Sequence, residues 1–237
     1  MIEIRNLIKV YNKEVVLNIL EMKIEKGQLL GLVGNNGAGK TTLFNLLLDL
    51  ITASKGEVIN NEVEVQKSEE WKAFTGAYID ESFTIGYLTP DEYFDFIGEL
   101  RDMNKADIDQ FLSNFDDFFN DEIRGKSKYI RDLSKGNQKK VGIVAAMMGN
   151  PEVVILDEPF ANLDPSSQFK LRKIIKDQAA DQSTTFLVSS HTLDNITDVC
   201  TRIVILEKGK VVKDVAKTET TLQELEEFFI AEKEPVI

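Results

Sequence analysis

The stretch Gly34-Asn35-Asn36-Gly37-Ala38-Gly39-Lys40-Thr41 constrains this chain more than any other. It fits G-x-x-x-x-G-K-[ST] at every fixed position, and it lies between an apolar run, Leu29–Val33, and a segment of helical spacing, Lys40–Leu50. A strand that passes through a glycine-rich turn into a helix is the repeating unit of a parallel α/β sheet. Glycines let the backbone wrap closely around an anion, so that successive N–H groups point inward. The helix that follows adds its positive end to the same place. In such a loop Lys40 is a point charge for the β- and γ-phosphates of a nucleotide, and the Thr41 hydroxyl is a ligand for Mg²⁺.

A second apolar run, Val153–Leu156, ends in two carboxylates, Asp157 and Glu158. Ligands of a parallel sheet gather at the carboxyl ends of its strands. Asp157 is therefore expected to approach the Mg²⁺ that Thr41 holds, and Glu158 to lie near the γ-phosphate. There it can take a proton from the attacking water or orient it. An apolar strand that ends in Asp-Glu is also an ordinary exit to the surface, and only the phosphate loop gives the pair a chemical reading.

The rest of the chain fits one large α/β domain of 237 residues, with 43% hydrophobic and 29% charged residues. Ile2–Ile4, Val15–Ile19 and Glu21–Ile24 read as short strands, and Glu57–Val65 as a hairpin. From Thr89 to Arg131 the character changes: Tyr93, Phe94, Ile97 and Leu100, then Ile108, Phe111, Leu112, Phe115, Phe118 and Phe119, recur at helical spacing. This predicts a helical subdomain inserted at about residues 83–140. Its phenylalanines are either plain core or an apolar ligand surface. Beyond it, Ser166–Ala179 reads as a helix, Thr185–Val188 as a strand, and Ile203–Leu206 with Val211–Val212 as a hairpin. An acidic amphipathic helix is expected at about residues 221–232, with Leu222, Leu225, Phe228 and Phe229 on one face.

Cys200 is the single cysteine, which excludes an internal disulfide and a cysteine-built metal site. The N-terminal residues lack the apolar run of a secretory signal, and no run approaches the roughly 20 residues of a membrane span. Any membrane role needs spans from another chain. A formal net charge of −12 repels nucleic-acid phosphates, so no nucleic-acid partner is expected.

Leu133-Ser134-Lys135-Gly136-Asn137-Gln138 precedes the carboxylate run, and Asn162-Leu163-Asp164 follows it. In this order, with Gly34–Thr41, the motifs resemble those of the ATP-binding-cassette (ABC) ATPases, over nearly the whole chain. The resemblance implies a P-loop NTPase fold of ABC type across residues 1–237: a parallel core sheet, an antiparallel β N-terminal part and the helical insert. It implies ATP as ligand, with Mg²⁺. Asn35, Asn36, Gly37, Ala38, Gly39, Lys40, Thr41 and Thr42 would contact the nucleotide, and Tyr11 would stack on the adenine. Ser134 and Gly136 match the positions that reach the γ-phosphate of an ATP held by the opposite subunit. Asp164 matches the aspartate that crosses the dimer interface, and His191 the switch histidine beside the water. Lys135 and Asn137 depart from the commonest signature, with lysine familiar among exporter-type members. The match is poorest in Gly76–Ser82, where Asp80 stands for the usual glutamine; it resembles the acidic variant of peptide-resistance exporters and would be a third Mg²⁺ ligand.

Such a chain would be the ATP-hydrolysing subunit of a transporter, peripheral on the cytoplasmic face of the membrane, working as a homodimer or heterodimer with a separate permease. Phe83, Ile85 and Tyr87 are the candidate permease contact. The alternatives are a non-transport ABC ATPase acting in translation or on DNA, and a cassette that binds ATP without hydrolysing it.

Overall fold

A computed structural model describes residues 1–221, 223–225 and 227. Its strands are β1 (Ile2–Tyr11), β2 (Glu14–Ile24), β3 (Leu29–Val33), β4 (Lys55–Asn60), β5 (Val63–Glu64), β6 (Thr75–Tyr78), β7 (Val153–Leu156), β8 (Thr185–Ser190), β9 (Arg202–Glu207) and β10 (Lys210–Ala216). Its α-helices are α1 (Lys40–Leu47), α2 (Pro90–Leu100), α3 (Lys105–Ser113), α4 (Asp116–Phe119), α5 (Lys135–Met147), α6 (Pro165–Gln178) and α7 (Leu193–Val199).

The strands form two sheets. One is antiparallel, in the order β2-β1-β4-β5; the other runs β10-β9-β3-β8-β7-β6 and is parallel except for the β9–β10 hairpin. Both faces of the parallel sheet are covered, which is why its strands read as near-continuous apolar runs. Alternate residues serve opposite faces. Val153 and Ile155 of β7, Leu187 of β8 and Val204 of β9 pack with α1 and the antiparallel sheet, around Phe44, Leu47, Ile4 and Leu17. Val154, Leu156, Phe186, Val188 and Ile203 pack on the other side with α5, α6 and α7.

The helices between β6 and β7 bring their own apolar material to that second side. α2 and α3 each begin with a capping box, Thr89 with Glu92 and Asn104 with Asp107. Phe94, Phe115, Phe118 and Phe119 are fully buried, and the rings of Phe94 and Phe119 lie 5.6 Å apart. These phenylalanines are core rather than an open ligand surface; Phe96, at 41% exposure, is the exception.

Several expected boundaries shift. Val15–Ile19 and Glu21–Ile24 belong to one strand, because β2 stays paired with β1 along its length. The helix after the phosphate loop ends at Leu47, not Leu50, and Asp49 turns to a left-handed φ of 48°. Of the apolar positions assigned to the C-terminal helix, Leu225 is buried, while Leu222, Phe228 and Phe229 lie outside the described residues.

The position of α5 is set by two glycines. A Cβ on Gly76 of β6 would meet the Ala146 carbonyl oxygen at 1.8 Å, and a Cβ on Gly142 of α5 would meet the Tyr78 ring at 2.4 Å. Helix and strand thus approach more closely than side chains permit, and α5 has almost no freedom to slide on the sheet. Gly76→Val is expected to destabilise the fold by about 2 kcal/mol through overpacking, seen as a lower urea midpoint; an unchanged midpoint would show that β6 and α5 are not in close contact.

Candidate functional site

The phosphate loop joins β3 to α1, and its backbone is shaped for something other than a side chain. Gly37 and Gly39 have φ of 83° and 106°, where L side chains are strained, and a Cβ on Gly37 would project into open space. α1 begins at Lys40 with no side chain capping its first N–H groups, so those donors face the loop. Tyr11, Val16, Asn35, Asn36, Gly37, Ala38, Gly39, Lys40, Thr41, Thr42 and Glu158 line a cleft of about 300 Å³. Lys40 is buried, with 6% of its side chain exposed. Its ammonium donates to the carbonyls of Gly34 at 2.6 Å and Asn35 at 3.4 Å, and meets Glu158 Oε1 at 3.2 Å.

The carboxylates at the end of β7 join this loop to the sheet. Asp157 accepts from the Thr41 hydroxyl through Oδ2 and from the Ser189 hydroxyl through Oδ1. Its N–H donates to the Tyr78 carbonyl at 2.8 Å. Burial raises its carboxyl above the usual aspartate range, and the bonds from Ser189 and Thr41 oppose that rise. A carboxylate and two hydroxyls are hard oxygen donors of the kind Mg²⁺ takes. Among the described residues no group of three or more His, Cys, Asp or Glu is placed to hold a metal alone. A cation at Asp157 and Thr41 would therefore complete its shell with phosphate and water, as Mg²⁺ commonly does.

Glu158 adopts a left-handed φ of 46°, uncommon for a residue with a side chain. Its N–H donates to Ser189 Oγ at 2.8 Å and its carbonyl accepts from Lys139 Nζ at 2.8 Å. Held so, its carboxylate reaches Lys40 on one side and His191 Nδ1, at 2.8 Å, on the other. His191 is half exposed at 49%. Lys40, Thr41, Asp157, Glu158, Ser189 and His191 thus form one connected polar network. Tyr11, 45% exposed at the rim, has Lys9 Nζ 4.7 Å from its ring centroid.

Ser134, Gly136 and Asp164 are elsewhere. They line a second cleft, of about 510 Å³, with Asn137, Lys140, Asn162 and Lys170. Ser134 caps α5 by accepting from the Asn137 N–H at 3.2 Å, and Asp164 caps α6 by accepting from the Ser167 N–H at 3.0 Å. Asp80 is in neither cleft lining: its carboxylate accepts from the Ser82 N–H at 2.7 Å and caps the 3₁₀ turn Glu81–Phe83. Sequence reasoning gave no role to Ser189 or Lys139. A serine near the end of an apolar strand and a lysine inside a helix carry no motif of their own.

A family model described as ABC transporter matches residues 17–161, more than half of the chain. The chain is 35% identical over 214 residues to an uncharacterised ABC transporter ATP-binding protein of Methanocaldococcus jannaschii, covering 89% of this chain and 76% of that protein. It is 30% identical over 221 residues to the bacitracin transport ATP-binding protein BcrA of Enterococcus faecalis, covering 91% of this chain and 69% of that one. Its fold is that of a solved dimeric ATP-binding cassette in a post-hydrolysis state with ADP and Pi, with a TM-score of 0.80, 20% identity, and coverage of 92% and 99%. The chain belongs to the ABC transporter family, as an ATP-binding ATPase subunit.

Proposed function

We propose that the chain hydrolyses ATP in the cleft between the phosphate loop and Glu158, as one of two copies that complete each other's sites, and that this drives a separate membrane permease. The observation that carries the reading is the division of the motif residues between two clefts. One is lined by the phosphate loop and Glu158, with Asp157 bonded to Thr41 and His191 to Glu158; the other is lined by Ser134, Gly136 and Asp164. A second copy facing the first would bring the two kinds of cleft together over one nucleotide. The dimeric cassette of similar fold supports that arrangement.

In this mechanism the loop N–H groups and Lys40 neutralise the terminal phosphates, and Tyr11 stacks on the base. Asp157 and Thr41 would hold Mg²⁺, which supplies charge neutralisation at the transferring phosphoryl group. Asp80 is proposed as a further ligand only if the turn it caps rearranges. Glu158 accepts the proton of the attacking water, while His191 fixes the direction of that carboxylate. Ser134 and Gly136, at the start of α5, present a hydroxyl and backbone N–H groups to the γ-phosphate of the other copy. Glu158→Gln is expected to keep ATP binding, lower turnover by about 100-fold or more, and accumulate an ATP-bound dimer in size-exclusion chromatography. Unimpaired turnover would remove Glu158 as the base.

The permease contact is assigned to the segment after β6. Phe83, Ile85 and Tyr87 are 54%, 40% and 71% exposed, and the Arg131 guanidinium lies over the Tyr87 ring, 4.4 Å from its centroid. Among the described residues no helix is long and apolar enough to cross a membrane, in keeping with spans supplied by another chain and a place on the cytoplasmic face. Export is the favoured direction, supported by Lys135 and Asp80, which resemble the forms found in exporter-type members. Changing Phe83, Ile85 and Tyr87 together to Ser is expected to abolish co-purification with the permease from membranes while leaving ATPase activity in solution intact. Retained co-purification would place the contact elsewhere.

A further inference from the structure

Lys139 is a buried cation that none of the roles above uses. It lies inside α5 with 5% of its surface exposed. Its ammonium donates to the Glu158 carbonyl at 2.8 Å and lies 5.8 Å from the centroid of the Tyr78 ring. Burial lowers its pKa below that of a free lysine, with the charges of Glu81, Glu158 and Asp157 acting against that fall. A cation removed from water needs compensation from its surroundings. Here a carbonyl, an aromatic face and nearby carboxylates provide it.

The carbonyl it holds belongs to Glu158, a residue of the phosphate cleft with a left-handed φ although it is not glycine. That conformation persists only where neighbours impose it. Ser189 Oγ, from β8, holds the Glu158 N–H at 2.8 Å, and Lys139, from α5, holds the carbonyl on the other side. Between these two anchors the side chain is aimed at Lys40 and His191. A lysine serving only as packing would need its stem and not an ammonium directed at this oxygen. α5 also carries Ser134 and Gly136 at its start, and Lys139 follows one turn later. The close fit of Gly142 on Tyr78 makes the helix a rigid link between the two clefts.

We propose that Lys139 is a positioning residue for ATP hydrolysis: its ammonium fixes the Glu158 backbone so that the carboxylate stays directed into the phosphate cleft. Turnover there then depends on the seat of the same helix whose first turn lines the second cleft. The inference rests on Glu158 being the proton acceptor.

Steady-state ATPase measurements on the full chain test it. Lys139→Met keeps the stem and removes the ammonium. It is expected to lower kcat about tenfold, the size of effect of losing a hydrogen bond from a charged donor, with KM for ATP and melting temperature unchanged. Lys139→Arg is expected to recover most of that loss. In a Glu158→Gln background Lys139→Met is expected to add no further loss, since it acts through Glu158. Wild-type kcat in Lys139→Met with an inactive Glu158→Gln would overturn this inference alone. So would a loss of kcat that comes with a lowered melting temperature and no recovery by Arg, or a multiplicative loss in the double variant. Full turnover in Glu158→Gln would remove both this inference and the assignment of the base.

Discussion

The bridge through Asp157 is the interaction on which the rest of the site depends. A carboxylate with 5% exposure would be strongly disfavoured in its charged form without partners. It is satisfied by the hydroxyl of Thr41 from α1 and that of Ser189 from β8, while its own N–H is bound to Tyr78 of β6. Four elements thereby meet at one residue, and the phosphate loop is tied to the sheet edge rather than hanging from β3. Removing either hydroxyl would leave a buried oxygen short of a partner, a cost of about 1–3 kcal/mol in comparable cases. Ser189 has the larger share, because the same oxygen accepts from the Glu158 N–H and so sets the turn that aims Glu158.

That turn explains how one strand end supplies two carboxylates with different duties. Asp157, just past the end of β7, is buried between the hydroxyls of Thr41 and Ser189. Glu158, one residue on, swings to a left-handed φ of 46° and directs its side chain to the mouth of the cleft, between Lys40 and His191. Separate surroundings for adjacent acids are a common way of giving them separate roles. The second cleft is built by another device: Ser134 and Asp164 cap α5 and α6, so two capped helix N-termini flank one hollow.

Much of this was legible in the sequence, and the parts that were not share a cause. The phosphate loop, the strands β3, β7 and β8, and the carboxylate pair follow from strong local patterns: apolar runs, glycine spacing and terminal charges. The parallel core sheet followed from those runs, and its antiparallel partner from the resemblance to the ABC ATPases. β6 was missed because Thr75-Gly76-Ala77-Tyr78 has no apolar run; its small residues are there to let α5 approach, a tertiary demand without periodicity. α7 was missed because Leu193–Val199 is short and half polar, with its buried positions fixed by contact with β3 and β8. At the site, the roles read for Lys40, Thr41 and Glu158 had motif signals. Ser189 and Lys139 did not, since their work depends on a neighbour's backbone direction that only the fold creates.

The central claim is that the phosphate cleft of one copy works only with the Ser134 cleft of another, and mixing two inactive variants tests it most directly. Lys40→Ala disables the first cleft and Ser134→Arg the second, so each variant alone is expected to be inactive. In an equimolar mixture half of the randomly paired dimers carry one intact composite site, and turnover is expected to recover to about a quarter of the wild-type value. Full turnover by Ser134→Arg alone, or a mixture as inactive as its components, would contradict the account.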